Sequence, residues 1–357
     1  MFSVNSSGAD FLLRCSVDYR AEIQAALGNG FPIERELEGA GASHVFLAEE
    51  LALGRKVVVK MLPKKLQGDV STERFQREIA VAARLQHPHL VPLLTAGVVQ
   101  SEGLPWFSMP YVEGESLREL LVRRGQLPVV TAARLMREIA SALAYAHGRG
   151  VVHRDIKPEN VLLSDGVAMV TDFGVAMAVD SAAAESTTGS RRLTGAGATL
   201  GTPAYSAPEQ IISAGTVDHR ADLYSFGCLA YELLTGSPPF TGRGLRDLLN
   251  AQIREVPVPI EHLRSGLPPS LSQVIMRCLE KDPADRPESG AEIVRVIDSV
   301  TLSSLSDSGE VRTVAPALAR TPESRTEALP PAPASKLPMM LMLLTAAAIA
   351  AALTLFY

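Results

Sequence analysis

The hydrophobic and polar positions of residues 31–63 follow the patterns of strands. Alternation and runs of β-branched side chains predict three strands in this region. The predicted strands cover 31–37, 45–49 and 55–61. An amphipathic helix is predicted over 71–85, because apolar side chains recur there at spacings of three and four. Shorter strand-like runs lie at 90–94 and 106–109.

Beyond residue 115 the apolar period becomes that of helices. Residues 130–147 carry Leu135, Ile139 and Leu143 on one face, and the pattern ends at Gly148, where a helix stop is expected. Further helices are predicted over 222–235, 244–253, 270–280 and 290–300. We therefore expect an α+β fold with a small β-rich lobe followed by a larger helical lobe.

The C-terminal part of the sequence differs from the rest. Residues 301–336 are rich in Ser, Pro and Ala without a sustained apolar period, which predicts a flexible linker. Residues 337–357 carry no charge, and about 20 helical residues span a bilayer core, so a transmembrane helix is predicted there. A buried or surface-adhering helix is the alternative. Lys336 and Arg325 precede the segment, which favours a single-pass cell-membrane protein with its larger part in the cytoplasm.

Composition excludes some classes of function. The chain has 357 residues, a net charge of -5 and 20% charged residues, so it lacks the basic excess of a nucleic-acid binder. Its three cysteines are far apart and in no CxxC spacing, so neither a disulfide framework nor a zinc site is indicated. Cys228 and Cys278 lie in apolar helical patterns and are predicted to pack in the core.

The stretches VVHRDIKPENVLL at 151–163 and VTDFGVA at 170–176 hold the candidate chemistry. Asp155, Asn160 and Asp172 offer the oxygen atoms that Mg²⁺ prefers, and Mg²⁺ keeps its other positions for water and phosphate. Lys157 adds a positive charge beside Asp155. Such a set can position a hydroxyl group and neutralise charge on a phosphoryl group during its transfer.

HRDIKPEN, DFG and the later GTPAYSAPE (201–209) resemble the motifs of eukaryotic-like serine/threonine protein kinases, including membrane-tethered bacterial ones. The resemblance covers roughly residues 31–300 and implies the two-lobed protein kinase fold. It places the N-lobe at 31–109 and the C-lobe at 113–300, after an N-terminal extension of residues 1–30. It also implies ATP and Mg²⁺, or Mn²⁺ in its place, as cofactors.

The resemblance implies a role for each candidate residue of the transfer machinery. Asp155 matches the base that accepts or orients the proton of the substrate hydroxyl, and Lys157 matches the residue that contacts the γ-phosphate. Asn160 and Asp172 match the two Mg²⁺ ligands.

Further residues match the nucleotide site of the family. Lys60 corresponds to the strand lysine that holds the α- and β-phosphates, and Glu78 on the following helix is its expected ion-pair partner. Met109 looks like the gatekeeper, and the Val112 backbone is expected to meet the adenine edge because Pro110 has no N–H. The remaining predicted nucleotide contacts are Leu37 and Val45.

The glycine-rich stretch LEGAGASHV at 37–45 is a phosphate loop by position and an altered one by composition. The positions where the family has glycine hold Glu38, Ala40 and Ser43. A carboxylate about 6 Å from a phosphate at an effective dielectric near 20 costs about 3 kcal/mol, so an inward Glu38 would weaken nucleotide binding by up to about a hundredfold. An outward Glu38, paired with Lys56 or Arg35, would cost little.

The segment between DFG and APE carries the expected regulation. Thr194 and Thr199 are the candidate phosphorylation sites, with the phosphate pairing to Arg154, whereas plain loop residues are the alternative. Thr202 matches the residue that contacts Asp155 and Lys157.

Other motif residues are expected to be structural. Glu209 and Arg286 match an ion pair of the large lobe, and Asp222 matches the residue that braces the catalytic loop.

The leading interpretation is a serine/threonine protein kinase that phosphorylates proteins and autophosphorylates on its activation loop through self-association. The altered phosphate loop motivates an alternative, a pseudokinase that acts as a scaffold or nucleotide sensor. A small-molecule phosphotransferase is a third interpretation, disfavoured because GTPAYSAPE resembles a peptide-binding platform. Protein substrates and, through the C-terminal helix, the membrane are the expected partners.

Overall fold

The computed structural model describes residues 19–37, 43–62, 72–99, 103–173, 203–212, 217–242 and 244–307. Within the helices, the side chains of residues 72–75, 78 and 301–307 lie outside this description. The described residues form a β-sheet lobe followed by a helical lobe, as the sequence predicted.

The small lobe is built on a five-stranded antiparallel sheet with the order β1-β2-β3-β5-β4. Its strands are β1 (Ile33–Leu37), β2 (His44–Glu50), β3 (Arg55–Met61), β4 (Thr95–Val99) and β5 (Leu104–Pro110). The strands predicted at 31–37, 45–49, 55–61 and 106–109 are confirmed, with ends that differ by a few residues.

The strand predicted at 90–94 is wrong. The strand in this region is β4, which begins only at Thr95. The backbone around Leu90 is hydrogen-bonded to the other lobe. The Val170 N–H donates to the His89 carbonyl at 2.9 Å, and the Val91 N–H donates to the Val170 carbonyl at 2.9 Å. The apolar run that suggested a strand therefore serves as a junction between the lobes.

Two helices cover the two faces of the sheet. Helix α2 (Thr72–Ala82), predicted at 71–85, packs its Ile79 in a cluster with Val58 and Phe107. Helix α1 (Tyr19–Leu27), which the sequence did not predict, packs Ile23 against the cluster of Phe46, Ala48, Val57 and Val59. Since successive strand residues point to opposite faces, the two helices lie on opposite sides of the sheet.

The large lobe is mainly helical. Its helices are α3 (Leu117–Arg124), α4 (Val129–His147), α5 (Pro208–Ile212), α6 (Arg220–Thr235), α7 (Leu245–Arg254), α8 (Ile260–Leu263), α9 (Pro269–Cys278) and α10 (Gly290–Asp307). The five helices predicted beyond residue 129 are confirmed. Helix α10 continues to Asp307, beyond the domain boundary expected at residue 300. A small antiparallel sheet joins β6 (Glu115–Ser116), β7 (Val161–Ser164) and β8 (Val167–Val170).

Helix α6 forms the centre of the large lobe, with nearly every residue buried. Gly227 lets helix α9 approach closely, because a Cβ at this position would lie 2.7 Å from the Cβ of Cys278. Cys228 and Cys278 are fully buried thiols, as predicted. Burial raises the pKa of both thiols, so they remain protonated core residues.

Within the described ranges, no helix is both long and apolar enough to cross a bilayer. The predicted transmembrane helix at 337–357 and the linker from residue 308 onwards lie outside those ranges.

Candidate active site

The turn that carries HRD is held by one buried carboxylate. Asp222, fully buried on helix α6, accepts from the backbone N–H groups of His153 and Arg154 at 2.7 Å each. His147 Nε2 lies 2.8 Å from the same carboxylate. Burial by itself would raise the pKa of Asp222, but the hydrogen bonds from the His147 ring and from the backbone N–H of His153 hold that pKa below its usual value. The predicted bracing role of Asp222 is therefore confirmed in geometry.

The predicted catalytic side chains lie beside this turn. Lys157 Nζ lies 2.7 Å from Asp155 Oδ2. Asn160, in the short 3₁₀ turn Pro158–Asn160, donates from Nδ2 to the backbone carbonyl of Asp155 at 2.8 Å and to Asp155 Oδ2 at 3.0 Å. The Nδ2 group therefore orients the Asp155 carboxylate, and the Oδ1 of Asn160 points away from it.

An ion pair links the two lobes across the cleft. Lys60 on β3 places Nζ 2.6 Å from Asp172 Oδ2, just after β8. The other oxygen, Asp172 Oδ1, is buried and has no hydrogen-bond partner among the described residues. Lys60 was expected to pair with Glu78, whose side chain lies outside the described residues, so that pairing stays a prediction.

The HRD and DFG motifs contact each other through His153. Its Nε2 donates to the carbonyl oxygen of Thr171 at 2.8 Å, and its Nδ1 accepts from the Asp155 N–H at 3.2 Å. One nitrogen donates and the other accepts, which is the pattern of a neutral imidazole. The ring also packs edge-on against Phe173, with centroids 4.6 Å apart. The buried histidine thus fixes Asp155 relative to Asp172.

An apolar cluster lies next to these charges and spans both lobes. It contains the four predicted nucleotide contacts Leu37, Val45, Met109 and Val112. Sequence reasoning did not assign several further members of this cluster to the nucleotide site, among them Val58 on β3 and, from the large lobe, Leu162 and Met169. The alternation of β7, with Val161 and Leu163 buried and Leu162 half-buried between them, was the signal that could have identified Leu162.

The described residues contain no group of three or more His, Cys, Asp or Glu side chains that could hold a metal by themselves. Mg²⁺ bound to a nucleotide takes only one or two carboxylates and completes its shell with phosphate oxygens and water. The unpartnered oxygen of Asp172 and the amide oxygen of Asn160 are the ligand types that such an ion needs.

Comparison with known families agrees with this geometry. A family model described as protein kinase domain matches residues 34–295. This chain belongs to the protein kinase family.

The relatives of this kinase include bacterial enzymes. It is 38% identical over 274 residues to serine/threonine-protein kinase pkn2 of Myxococcus xanthus, covering 75% of this chain and 32% of the relative. It is 37% identical over 257 residues to serine/threonine-protein kinase PknB of Mycobacterium leprae, covering 71% and 40%. The kinase therefore spans about a third to two fifths of the length of these relatives.

Its fold is similar to a crystal structure of the Mycobacterium tuberculosis PknI kinase domain. The TM-score is 0.58 at 29% sequence identity, over 76% of this chain and 96% of that one. The two lobes described above are therefore those of the protein kinase fold.

A second polar network of the kinase connects Glu159, beside the catalytic turn, to Tyr205 of GTPAYSAPE. Sequence reasoning missed this network. Arg118 on α3 donates to Glu159 (2.8 Å), to Glu232 (2.7 Å) and to the hydroxyl of Tyr205 (2.5 Å). Burial and the nearby carboxylate of Glu232 raise the pKa of Tyr205, so its hydroxyl stays protonated and donates to Glu232. No motif joins these residues, because they come from four separate parts of the chain.

The predicted ion pair between Glu209 and Arg286 is confirmed. Both Arg286 Nη atoms donate to the carboxylate, at 2.7 and 2.8 Å, and the guanidinium group also donates to the backbone carbonyls of Arg220, Glu280 and Lys281. The side chain of Arg286 is completely buried, so this fork anchors α5 to the end of the helical lobe.

Several predicted site residues of the kinase lie outside the described residues. They are Glu38 and Ala40 of the phosphate loop and the threonines Thr194, Thr199 and Thr202. The Nζ of Lys56, which was considered as a partner for Glu38, lies 3.6 Å from the Glu34 carboxylate. Arg154, the predicted partner of a phosphorylated threonine, lies next to Asp155 and accepts from Gln210 Nε2 at its carbonyl oxygen, at 2.8 Å.

Proposed function

We propose that this kinase transfers the γ-phosphoryl group of ATP to serine and threonine hydroxyls of proteins. The observation that carries the proposal is the pairing of Lys60 with Asp172 at 2.6 Å in the same cleft that holds Asp155, Lys157 and Asn160. The bacterial relatives of this chain that are named serine/threonine-protein kinases support the choice of a hydroxyl acceptor.

In this proposal the nucleotide binds between the lobes. The purine contacts the apolar cluster of Leu37, Val45, Met109 and Leu162, while the Lys60 ammonium group binds the α- and β-phosphates. Asn160 and Asp172 would hold Mg²⁺, and the ion would neutralise charge on the phosphate oxygens. The unpartnered Asp172 Oδ1 is the oxygen suited to this role.

Asp155 and Lys157 act on the acceptor side. The Asp155 carboxylate orients the substrate hydroxyl and takes its proton as the oxygen bonds to the γ-phosphorus. The bond from the γ-phosphorus to the bridging oxygen breaks, and ADP leaves with that electron pair. Lys157, 2.7 Å from Asp155, contacts the γ-phosphoryl group and offsets the charge that develops on it.

The finer assignments belong to the same proposal. Self-association leads to autophosphorylation on Thr194 or Thr199, where the phosphate pairs with Arg154, while Thr202 contacts Asp155 and Lys157. Residues 337–357 anchor the kinase in the cell membrane, and the catalytic domain lies in the cytoplasm. The linker connects the two. These assignments rest on the motifs and on the uncharged C-terminal stretch.

A radiolabel assay with the full chain, ATP, Mg²⁺ and a generic basic protein tests the proposal. Asp155→Asn and Lys60→Met are each expected to lower transfer by at least about a hundredfold, because each removes a group that acts on the transferring phosphoryl. Matched controls are Asp165→Asn, an exposed turn residue, and Lys56→Met, an exposed lysine on the same strand. Both controls are expected to retain activity.

Other results would favour the alternatives. No transfer with any divalent metal would support a pseudokinase. Transfer to a small-molecule alcohol but to no protein would support a small-molecule phosphotransferase. Label retained by the Asp155→Asn variant at the wild-type level would contradict the assigned base.

A further inference from the structure

Gln252, near the end of α7, has a fully buried side chain with three hydrogen bonds. Its Nε2 donates to the carbonyl oxygens of Ala204 at 2.7 Å and Pro203 at 3.2 Å. Its Oε1 accepts from the hydroxyl of Tyr224 at 2.6 Å. Both donors and the acceptor of the amide are therefore engaged, and the side chain has a single orientation.

Lys281 fixes the orientation of this amide through Tyr224. Lys281 Nζ donates to the Tyr224 hydroxyl at 3.0 Å and to the backbone carbonyl of Gln252 at 2.8 Å. An ammonium group can only donate, so the Tyr224 oxygen accepts from Lys281 and gives its own proton to Gln252 Oε1. The Nε2 group of Gln252 must then face residues 203 and 204.

Residues 203–205, which we call the platform segment, are also joined to the catalytic turn. The Tyr205 hydroxyl accepts from Arg118 at 2.5 Å, and Arg118 donates to Glu159, the neighbour of Asn160. Ser225 Oγ donates to the Tyr205 carbonyl at 2.7 Å. A shift of the platform segment would therefore change the acceptor side of the cleft, whereas the Lys60–Asp172 pair has no contact with Gln252 among the bonds described.

We propose that Gln252 is a positioning residue for the protein substrate. It holds the platform segment in the position that the acceptor hydroxyl requires. This inference rests on the proposed kinase function. Gln252 does not touch the reacting atoms and acts through the carbonyls of residues 203 and 204. Its loss is expected to weaken the use of protein substrate and to leave nucleotide binding unchanged.

Steady-state kinetics of the full chain test this with two variants. Gln252→Leu removes all three hydrogen bonds, and Gln252→Glu keeps the acceptor for Tyr224 but loses both donors. Each variant is expected to raise KM for the protein substrate about tenfold, while KM for ATP stays within about twofold. Gln126→Leu, at an exposed glutamine of the same lobe, is the control and is expected to change neither constant.

A second readout does not depend on activity. Hydrogen exchange followed by mass spectrometry is expected to be at least about tenfold faster for the amides of residues 204–212 in Gln252→Leu than in the wild type. Where circular dichroism finds Gln252→Leu unfolded, Tyr224→Phe takes its place, because it removes only the hydroxyl that orients the amide. It is expected to act in the same direction and more weakly.

The outcomes separate the two proposals. An active wild type with unchanged substrate KM in the variants overturns the role of Gln252 and leaves the kinase function intact. A wild type that transfers no phosphoryl group overturns the proposed function, and the exchange experiment then decides alone whether Gln252 holds the platform segment. Equal increases in both KM values would indicate a general loss of structure and would also overturn the inference.

Discussion

Two charged residues beside the cleft have backbone conformations that side chains rarely adopt. Arg154 and Asp172 have φ angles of 68° and 65°, in the left-handed region that costs non-glycine residues roughly 1–2 kcal/mol. At Arg154 the cost is offset by Asp222, whose buried carboxylate accepts its N–H. The strained backbone directs the flanking Asp155 and the side chain of Asp172 into the cleft.

Lys281 gives a prediction at this scale. Burial lowers its pKa from 10.5 to about 8, the charge of Arg286 also lowers it, and the carboxylates of Glu255 and Glu280 oppose the shift. Between pH 8 and 10 the unfolded chain binds a proton that the folded protein does not, so stability rises with pH in this window. The cost of burying the cation is fully present below pH 8. Relative to Lys281→Met, the wild type is therefore expected to gain thermal stability from pH 8 to 9.5.

Thermal melts of the wild type and both lysine variants at several pH values provide the measurement. Lys56→Met, at an exposed lysine on β3, is the control, and its melting temperature is expected to follow the wild type in parallel. A difference between the wild type and Lys281→Met that stays constant from pH 7 to 9.5 would contradict the assignment.

At the scale of elements, helix α1 is an unpredicted part of the small lobe. Ile23 is its one fully buried residue, while Arg20 donates to the carbonyl of Ile33 at 2.9 Å and Gln24 accepts from the Ile33 N–H at 2.8 Å. The helix therefore fixes the start of β1, the strand that leads into the phosphate loop. A single buried position gives no periodic signal, which is why the sequence did not indicate it.

Ile23→Ala is expected to destabilise the small lobe by about 2–4 kcal/mol, because it leaves a cavity against the sheet. Urea denaturation followed by circular dichroism measures the change. Val122→Ala removes an exposed side chain on α3 and is expected to change stability by less than about 0.5 kcal/mol. An equally small change for Ile23→Ala would show that α1 contributes little to the lobe.

For the whole molecule, the Lys60–Asp172 pair is a direct bond across the cleft, and the junction at Leu90 and Val170 also joins the two lobes. A nucleotide bound between the lobes would add contacts to both at once. Binding to the folded state alone stabilises it according to the ratio of ligand concentration to Kd.

Mg²⁺ with ATP at about a hundred times its Kd is therefore expected to stabilise the kinase by about 2.7 kcal/mol, seen as a higher melting temperature. Removal of the metal with EDTA is expected to abolish most of this gain, because ATP then lacks the ion that our proposal assigns to Asn160 and Asp172. Lys60→Met is expected to show a reduced gain, and Lys56→Met the full one. A gain that survives both EDTA and Lys60→Met would place the nucleotide elsewhere.

The sequence by itself determined the two-lobed class, most strands and helices, and the identity of the residues around the cleft. Asp155, Lys157 and Asn160 lie within six consecutive positions, so their closeness follows from the local sequence, although Asp222 of α6 holds the turn before them. Lys60 and Asp172 are 112 positions apart, and only their motifs pointed to a shared site. Helix α1 was not predicted, and residues 90–94 were wrongly predicted as a strand. Both depend on which residues are buried and which partners they bond, and the spacing of apolar residues does not show this.

Only the tertiary structure decided how the acceptor side is supported. Arg118, Glu232, Gln252 and Lys281 stand in no common motif. Considered alone, the first three are ordinary helix residues and Lys281 is an ordinary residue between helices. Their roles arise because packing around α6 buries Glu232 and Gln252 and, in part, Arg118 and Lys281. A buried polar group needs a partner, which here comes from a distant part of the chain. The local sequence pattern determines which face of a helix or strand is apolar. The pairing of distant polar side chains depends on how the helices and strands pack against one another, which the local pattern does not specify.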